Sequence, residues 1–324
     1  MVLLLGASGF VGRAFAAALL SRGRDFIPVS RRALDYTRFD VLFDFVRRTR
    51  PRFLINAAGM VGGPDGTGCE TAREEALAAN TLLPQTIARV CRLTRTPWGH
   101  VSSGCIYRGA KLLGPDGPKI ETDLNSAAFR RRLATAPETI WGFSEADEPN
   151  CSFRRPPCSF YSGTKALAEE ALAGMPDVYI WRPGVVFNRQ ASSRNLLWRL
   201  RGCDGVSEGI WPLTDLEDFV RACLTLWETE ARYGIYNIVN PGIVTTDEIL
   251  GLMRDSAVVD GELFSSRPGD VCRGANGDGV AASCVLETRK LEAAGVRLRP
   301  AAEALRSVLE EWSQRPREME LLRR

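Results

Sequence analysis

Near the start of the chain, the apolar run from Val2 to Leu5 passes directly into Gly6-Ala7-Ser8-Gly9-Phe10-Val11-Gly12 and then into an apolar helical pattern lasting to Leu20. Strand, glycine triad and helix in that order leave few folds open. The glycines allow a tight turn and close approach of backbone to ligand, and the free N–H groups at the helix start suit a pyrophosphate. The same succession recurs without the triad. Phe26 to Val29 is strand-like, Asp40 to Arg48 helical, and Phe53 to Ile55 a third strand ending in Asn56-Ala57-Ala58-Gly59. A helical stretch from Glu70 to Cys91 and a strand from Gly99 to Ile106 follow. This alternation predicts an α/β fold with a doubly wound parallel sheet of the Rossmann type. Residues at the carboxyl ends of such strands line the ligand crevice. Gly6, Ser8, Gly9, Phe10, Val11 and Gly12, with Asn56, Ala57, Ala58 and Gly59, are therefore expected to hold a dinucleotide.

The end of the second strand indicates which dinucleotide. Sites for NAD usually carry an acid there, bound to the adenine ribose hydroxyls; this chain has Ser30-Arg31-Arg32. Two guanidiniums suit a 2′-phosphate, so NADP is expected over NAD.

A second chemical signal is Phe160-Tyr161-Ser162-Gly163-Thr164-Lys165, at the start of a strong helix pattern. Tyr161 and Lys165, four residues apart, share a helix face. An ammonium beside a phenol is expected to lower the phenol's pKa and let it exchange a proton with a carbinol oxygen near neutral pH. The chain has four lysines among 42 basic residues, and six tyrosines. Chance placement would give about 0.07 such pairs, so the spacing is informative despite its brevity. Lysine stands here, in a chain that uses arginine nearly everywhere, where a compact ammonium suits the chemistry.

Composition removes other classes. A hydrophobic content of 45% and a charged content of 25% are ordinary for a globular chain, and 324 residues can bury a sizeable core. The net charge is +3, and the arginines are interspersed with acids rather than gathered into a stripe, which argues against a nucleic-acid polymer as partner. Nine cysteines form no C-x-x-C pair, against zinc or a redox dithiol, so no metal is expected. Their odd number, with no secretory signal, fits reduced thiols and a cytoplasmic protein. No apolar run approaches the roughly 20 residues that span a bilayer, so no membrane partner is expected. His100, the single histidine, is read as structural.

In the strand from Gly99 to Ile106, period-two alternation would turn Ser103, Cys105 and Tyr107 to one face and into one cleft. Residues 108–158 are rich in proline and glycine and read as an irregular, lid-like insertion. Domain boundaries follow from these breaks. Residues 1–185 form the dinucleotide-binding domain; 186–324 form a smaller, partly discontinuous C-terminal substrate domain, with 213–240 returning to the sheet.

Taken together, the glycine triad, Asn56-Ala57-Ala58-Gly59, Ser103 and Tyr161/Lys165 resemble the extended short-chain dehydrogenase/reductase family in kind and order. More narrowly, NAAGMVGG (56–63), SSGCIY (102–107), FYSGTKALAEE (160–170) and GIYNIVNPGIVTTDEIL (234–250) resemble nucleotide-rhamnose epimerase/reductases, relatives of dTDP-4-dehydrorhamnose reductase and GDP-fucose synthase. The resemblance runs from about Leu3 to about Met253. It implies an NADPH-dependent reductase of a nucleotide-linked 4-keto-6-deoxy sugar, with 3,5-epimerase activity as a second function. The expected partner is that nucleotide sugar, and the expected state a monomer or homodimer.

The roles implied are these. Ser103 bonds the sugar ketone, Tyr161 protonates it, and Lys165 holds the nicotinamide ribose. Asn80 supports the helix and proton path, and Arg182, Pro183, Gly184 and Val185 border the cofactor. Val61, Gly62, Gly104, Asn195 and Arg199 meet the substrate, and Cys105 removes a proton beside the ketone. The chain departs from the pattern at Arg199, where a Lys or His would partner the thiol; arginine does not give up its proton in proteins. A 4,6-dehydratase would need acids where Gly104 and Cys105 stand, and a 4-epimerase would need one where Arg31 and Arg32 stand. Other NAD(P)-dependent epimerases and a non-catalytic cofactor sensor of the same fold are the alternatives.

Overall fold

The computed structural model describes residues 1–61, 68–201, 208–256 and 283–313. Four strands, β1 (Val2–Leu5), β2 (Phe26–Val29), β3 (Phe53–Asn56) and β4 (Trp98–Val101), join Val178–Pro183 and Gly234–Ile238 in one parallel sheet. The order across it is Gly234–Ile238, Val178–Pro183, β4, β3, β1, β2. These strands are short and apolar throughout because both faces are covered. Val2 and Leu4 turn to one face, against Phe15 and Leu19 of helix α1 (Phe10–Ser21) and Phe219 and Cys223 of the helix Leu216–Glu228. Leu3 and Leu5 turn to the other, against Leu42 and Val46 of helix α2 (Phe39–Thr49) and Ile87 and Val90 of the helix Leu83–Thr94. The sheet is therefore doubly wound.

From β1 the chain goes to one side for β2, then returns across it to β3 on the other. That reversal opens a crevice beyond the carboxyl ends of β1 and β3, the usual ligand position in such sheets. Gly6 and Ala57 are the first residues after those ends.

A separate apolar cluster lies beyond the crevice. It joins Leu196, Leu197 and Leu200 of the helix Leu196–Arg201 to Ile249 and Met253 of Thr246–Asp255 and Leu305 and Leu309 of Ala301–Ser313. The parallel pair Val185–Phe187 and Leu213–Asp215 carries the chain between this body and the sheet.

Three expectations are corrected. The strand through Ile106 ends at Val101, and residues 104–106 form a single 3-10 turn. The insertion is not irregular: Ala110–Gly114, Gly117–Glu121 and Ile140–Trp141 make an antiparallel sheet, and Ala127–Thr135 is a helix. Its prolines and glycines are turn residues, as in the hairpin turn between Gly114 and Gly117, rather than marks of disorder. The helical stretch from 70 to 91 is broken, with a π-helical turn at Ala78–Leu82 around Asn80.

Candidate active site

One cleft, about 390 Å³ in volume, opens at the crevice. It is bordered by Ser8, Gly9, Phe10 and Val11, by Ala57, Ala58, Gly59 and Val61, by Ser103, Cys105, Tyr161 and Lys165, and by Pro183, Gly184 and Val185. The N-cap of α1 is Gly9, with no side-chain cap on the first-turn N–H groups. A Cβ on Gly12 would lie 2.1 Å from the Gly6 carbonyl oxygen, and Gly6 itself has φ +75°. Helix and loop thus form a cradle that fits a pyrophosphate at the N–H groups.

Tyr161 and Lys165 are delivered by the helix Phe160–Leu172. Ser159 caps it by accepting from Ser162 N at 3.0 Å, and the Glu70 carboxylate accepts from Phe160 N. Asn80, fully buried in its π turn, donates to Met60 O at 2.9 Å and to Thr164 Oγ1 at 3.2 Å and accepts from Met60 N at 2.8 Å. It ties the loop after Gly59 to the Tyr161 helix, and π turns are frequent at functional sites.

Electrostatics depart from expectation. Lys165 Nζ donates to Val101 O at 3.0 Å and lies 5.9 Å from the Tyr161 ring centre. Burial raises the Tyr161 pKa, opposed by a hydrogen bond with Ser103, so the phenol is a firmly protonated acid rather than a near-phenolate. Burial lowers Lys165 to about 8. Cys105 is pushed up to about 12 by burial, against hydrogen bonds from Ser103 and Ser162, and its thiol is neutral here.

Other expected site residues stand elsewhere. Tyr107 does not face the cleft: its hydroxyl donates to Asp147 O at 2.6 Å and its ring stacks on Phe143. Gly104 packs under Leu286. The Asn56 side chain turns beneath its loop, accepting from Ala58 N at 3.1 Å and pairing with His100 Nδ1, whose pKa burial lowers. Asn195 is fully buried, its amide donating to Asn188 O at 2.6 Å and Gln190 O at 2.7 Å, so it shapes a loop rather than reaching a phosphate. Arg182 is buried against Glu169, away from the cleft. Ser30, Arg31 and Arg32 lie next to the glycine loop, since Gly6 N donates to Val29 O at 3.1 Å, but outside the cleft. Gly62 falls outside the described residues. Arg199 borders the cleft, half-buried.

Sequence reasoning missed Arg13, Ser102 and the Ser192-Ser193-Arg194 loop, all of which border the cleft. Arg13 directly follows the third glycine, and that position was the available signal.

A bifunctional dTDP-4-dehydrorhamnose 3,5-epimerase/dTDP-4-dehydrorhamnose reductase of Arabidopsis thaliana is 26% identical over 254 residues, covering 78% of this chain and 74% of that protein. Trifunctional UDP-glucose 4,6-dehydratase/3,5-epimerase/reductases of the same plant are longer, and the chain spans 27–33% of them. Among solved structures, the L780 UDP-rhamnose synthase of Acanthamoeba polyphaga mimivirus shares the fold with a TM-score of 0.74 at 19% identity, covering 96% of this chain and 98% of that one. The dTDP-4-dehydrorhamnose reductase of Bacillus anthracis, solved with NADP, has a TM-score of 0.68 at 18% identity and covers 96% and 97%. A sequence model of the RmlD substrate binding domain matches residues 1–314, and the chain belongs to that family.

Proposed function

We propose that this protein is an NADPH-dependent reductase of a nucleotide-linked 4-keto-6-deoxy sugar. One observation carries the reading: the glycine cradle and the Ser103–Tyr161–Lys165 group open into the same cleft. The reactions of the plant relatives supply the substrate class, dTDP- or UDP-linked 4-keto-rhamnose.

Bound in the cradle, NADPH would supply the hydride. The backbone N–H groups of Phe10 and Val11 would hold the pyrophosphate, and Lys165 would hold the nicotinamide ribose. Ser103 donates to the sugar carbonyl oxygen, and Tyr161, kept protonated by burial, gives that oxygen its proton. Asn80 acts through the loop and helix that it joins.

Cys105 carries the second reading, 3,5-epimerisation, because its thiol stands in the cleft beside Ser103. To remove a sugar proton it must first be deprotonated, and the resulting enolate charge would fall on the oxygen held by Ser103 and Tyr161. Arg199 cannot return a proton to the opposite face; water or another group must.

The test is purified protein and NADPH with a panel of UDP-, dTDP- and GDP-4-keto-6-deoxy sugars in deuterium oxide, following nicotinamide absorbance and analysing product by NMR. Absorbance should fall with at least one ketosugar; no loss with any of them overturns the reductase reading. Deuterium at C3 or C5 from wild type but not from Cys105→Ser supports the epimerase reading. Reduction without deuterium leaves a reductase alone.

Cofactor choice is checked separately. Arg13 borders the cleft and Arg31 and Arg32 follow β2, so NADPH is expected to bind at least about tenfold tighter than NADH. Titration of the intrinsic fluorescence of the seven tryptophans measures both affinities.

A further inference from the structure

A buried ion pair lies directly behind the reacting side chains, with Arg182 2% and Glu169 5% exposed. The Glu169 carboxylate accepts from Arg182 Nε at 3.1 Å and Nη2 at 2.6 Å, and from the Ser102 hydroxyl at 2.5 Å. Arg182 Nη1 also donates to the Tyr107 hydroxyl at 3.0 Å. Three parts of the cleft meet at this carboxylate. Glu169 is one turn beyond Lys165 and two beyond Tyr161 on the same helix, so all three share a face. Ser102 is the neighbour of Ser103, and Arg182 precedes the Pro183-Gly184 floor.

Taking two charges out of water is costly, and a well-packed apolar pair could join the same elements at least as well. What an apolar pair could not supply is charge. The groups facing Lys165 are Cys105 on the 3-10 turn, Cys69 on the short helix Gly68–Thr71, His100 in β4, and Tyr161 and Glu169 on its own helix. Burial keeps both thiols, the phenol and the imidazole neutral near pH 7. Glu169 is then the negative charge among them. Glu169 in turn faces Arg182, Lys165 and Tyr107, whose phenol is raised to about 12 and is also neutral.

We propose that Glu169 is a positioning residue for the reduction: one carboxylate sets the Tyr161–Lys165 helix against both strand ends of the cleft floor and supplies the negative charge that Lys165 faces. The inference rests on the function proposed above and deepens it. Lys165 is charged below about pH 8 and loses its proton above. Affinity for NADPH and kcat/KM are therefore expected to fall as pH rises through that region, since kcat/KM reports groups of the free enzyme. Without Glu169 the fall should come earlier.

The experiment compares wild type, Glu169→Gln and the double variant Glu169→Gln/Arg182→Met. NADPH affinity is measured by tryptophan fluorescence over roughly pH 6 to 9.5, and kcat/KM with whichever ketosugar wild type reduces. Glu169→Gln keeps the shape and an acceptor for Ser102 but strands the arginine charge; the double variant removes both charges and guards against simple unfolding. The expected result is an alkaline limb displaced downward by about one pH unit in both variants, with a melting temperature in the double variant close to wild type. An undisplaced limb in either folded variant overturns the proposal and leaves a structural clamp. The binding arm uses no sugar, so a protein that binds NADPH but reduces nothing on the panel refutes the substrate reading while still deciding the role of Glu169.

Discussion

Tyr161→Phe is expected to bind NADPH as wild type does and to reduce its ketosugar about 100- to 10,000-fold more slowly, the usual worth of a positioned proton donor. Tyr161 is the acid because burial, outweighing the hydrogen bond with Ser103, leaves it protonated in the cleft, where a carbonyl oxygen accepting hydride needs a proton. Phenylalanine keeps the ring and its packing against Cys69 and Ala76, so fold and cofactor site should survive. The loss should appear in kcat and in kcat/KM alike, because the missing interaction is made only as the oxygen gains charge. Single-turnover mixing of enzyme, NADPH and ketosugar measures it directly. A variant retaining more than about a tenth of the wild-type rate would remove Tyr161 from the role, since it falls outside the range for a general acid.

The fold was legible because its strongest signals are local. A strand, three glycines and a helix between Val2 and Ser21 dictate a turn that suits a doubly wound sheet, and the Tyr161 helix announces itself by its spacing. Failures arose wherever a side chain's direction depends on a bend that sequence does not mark. Extending β4 as a strand sent Ser103, Cys105 and Tyr107 to one face; the chain turns at Gly104, leaving the first two in the cleft and sending Tyr107 to Asp147 and Arg182. Asn56 and Asn195 look like ligand residues because amides stand in loops near strand or helix ends. Such amides also satisfy loop backbone, and both do so here. Lys165 and Tyr161 stand on one helix as their spacing predicts, but the phenol's pKa moves up and not down. An ammonium nearly 6 Å from the ring and bonded to a carbonyl does not offset the burial of the phenol. Glu169 was in plain view, four residues past Lys165, but its partner Arg182 is thirteen residues further on and on another element.

Gly12→Ala is expected to lose both stability and cofactor, whereas Gly9→Ala, three residues earlier in the same loop, loses far less of either. The added Cβ at Gly12 would lie 2.1 Å from the Gly6 oxygen, 2.8 Å from the Gly6 carbonyl carbon and 2.9 Å from Ala7 Cα. Every one of those atoms is backbone, so no rotamer change can relieve the clash, and α1 must move off the loop. Moving it disturbs Phe15 and Leu19, which bury α1 against Phe219 and Cys223 on one face of the sheet. Gly6 has little room to yield in the opposite direction, because a Cβ built on it would lie 2.6 Å from Ala58 N and 2.8 Å from the Ala57 carbonyl carbon, in the loop after β3. The cost should approach about 3 kcal/mol, the upper end of the usual range for overpacking. Separating helix from loop also disperses the N–H groups that hold the pyrophosphate, so NADPH affinity should fall by more than about tenfold. At Gly9 the added Cβ would meet only the Gly6 oxygen, at 3.2 Å, a distance that a shift of a few tenths of an ångström relieves. Thermal unfolding and NADPH titration of the two variants side by side check the contrast. Equal losses at both positions would mean that the triad acts through conformational freedom alone and not through the close approach of α1 to the turn.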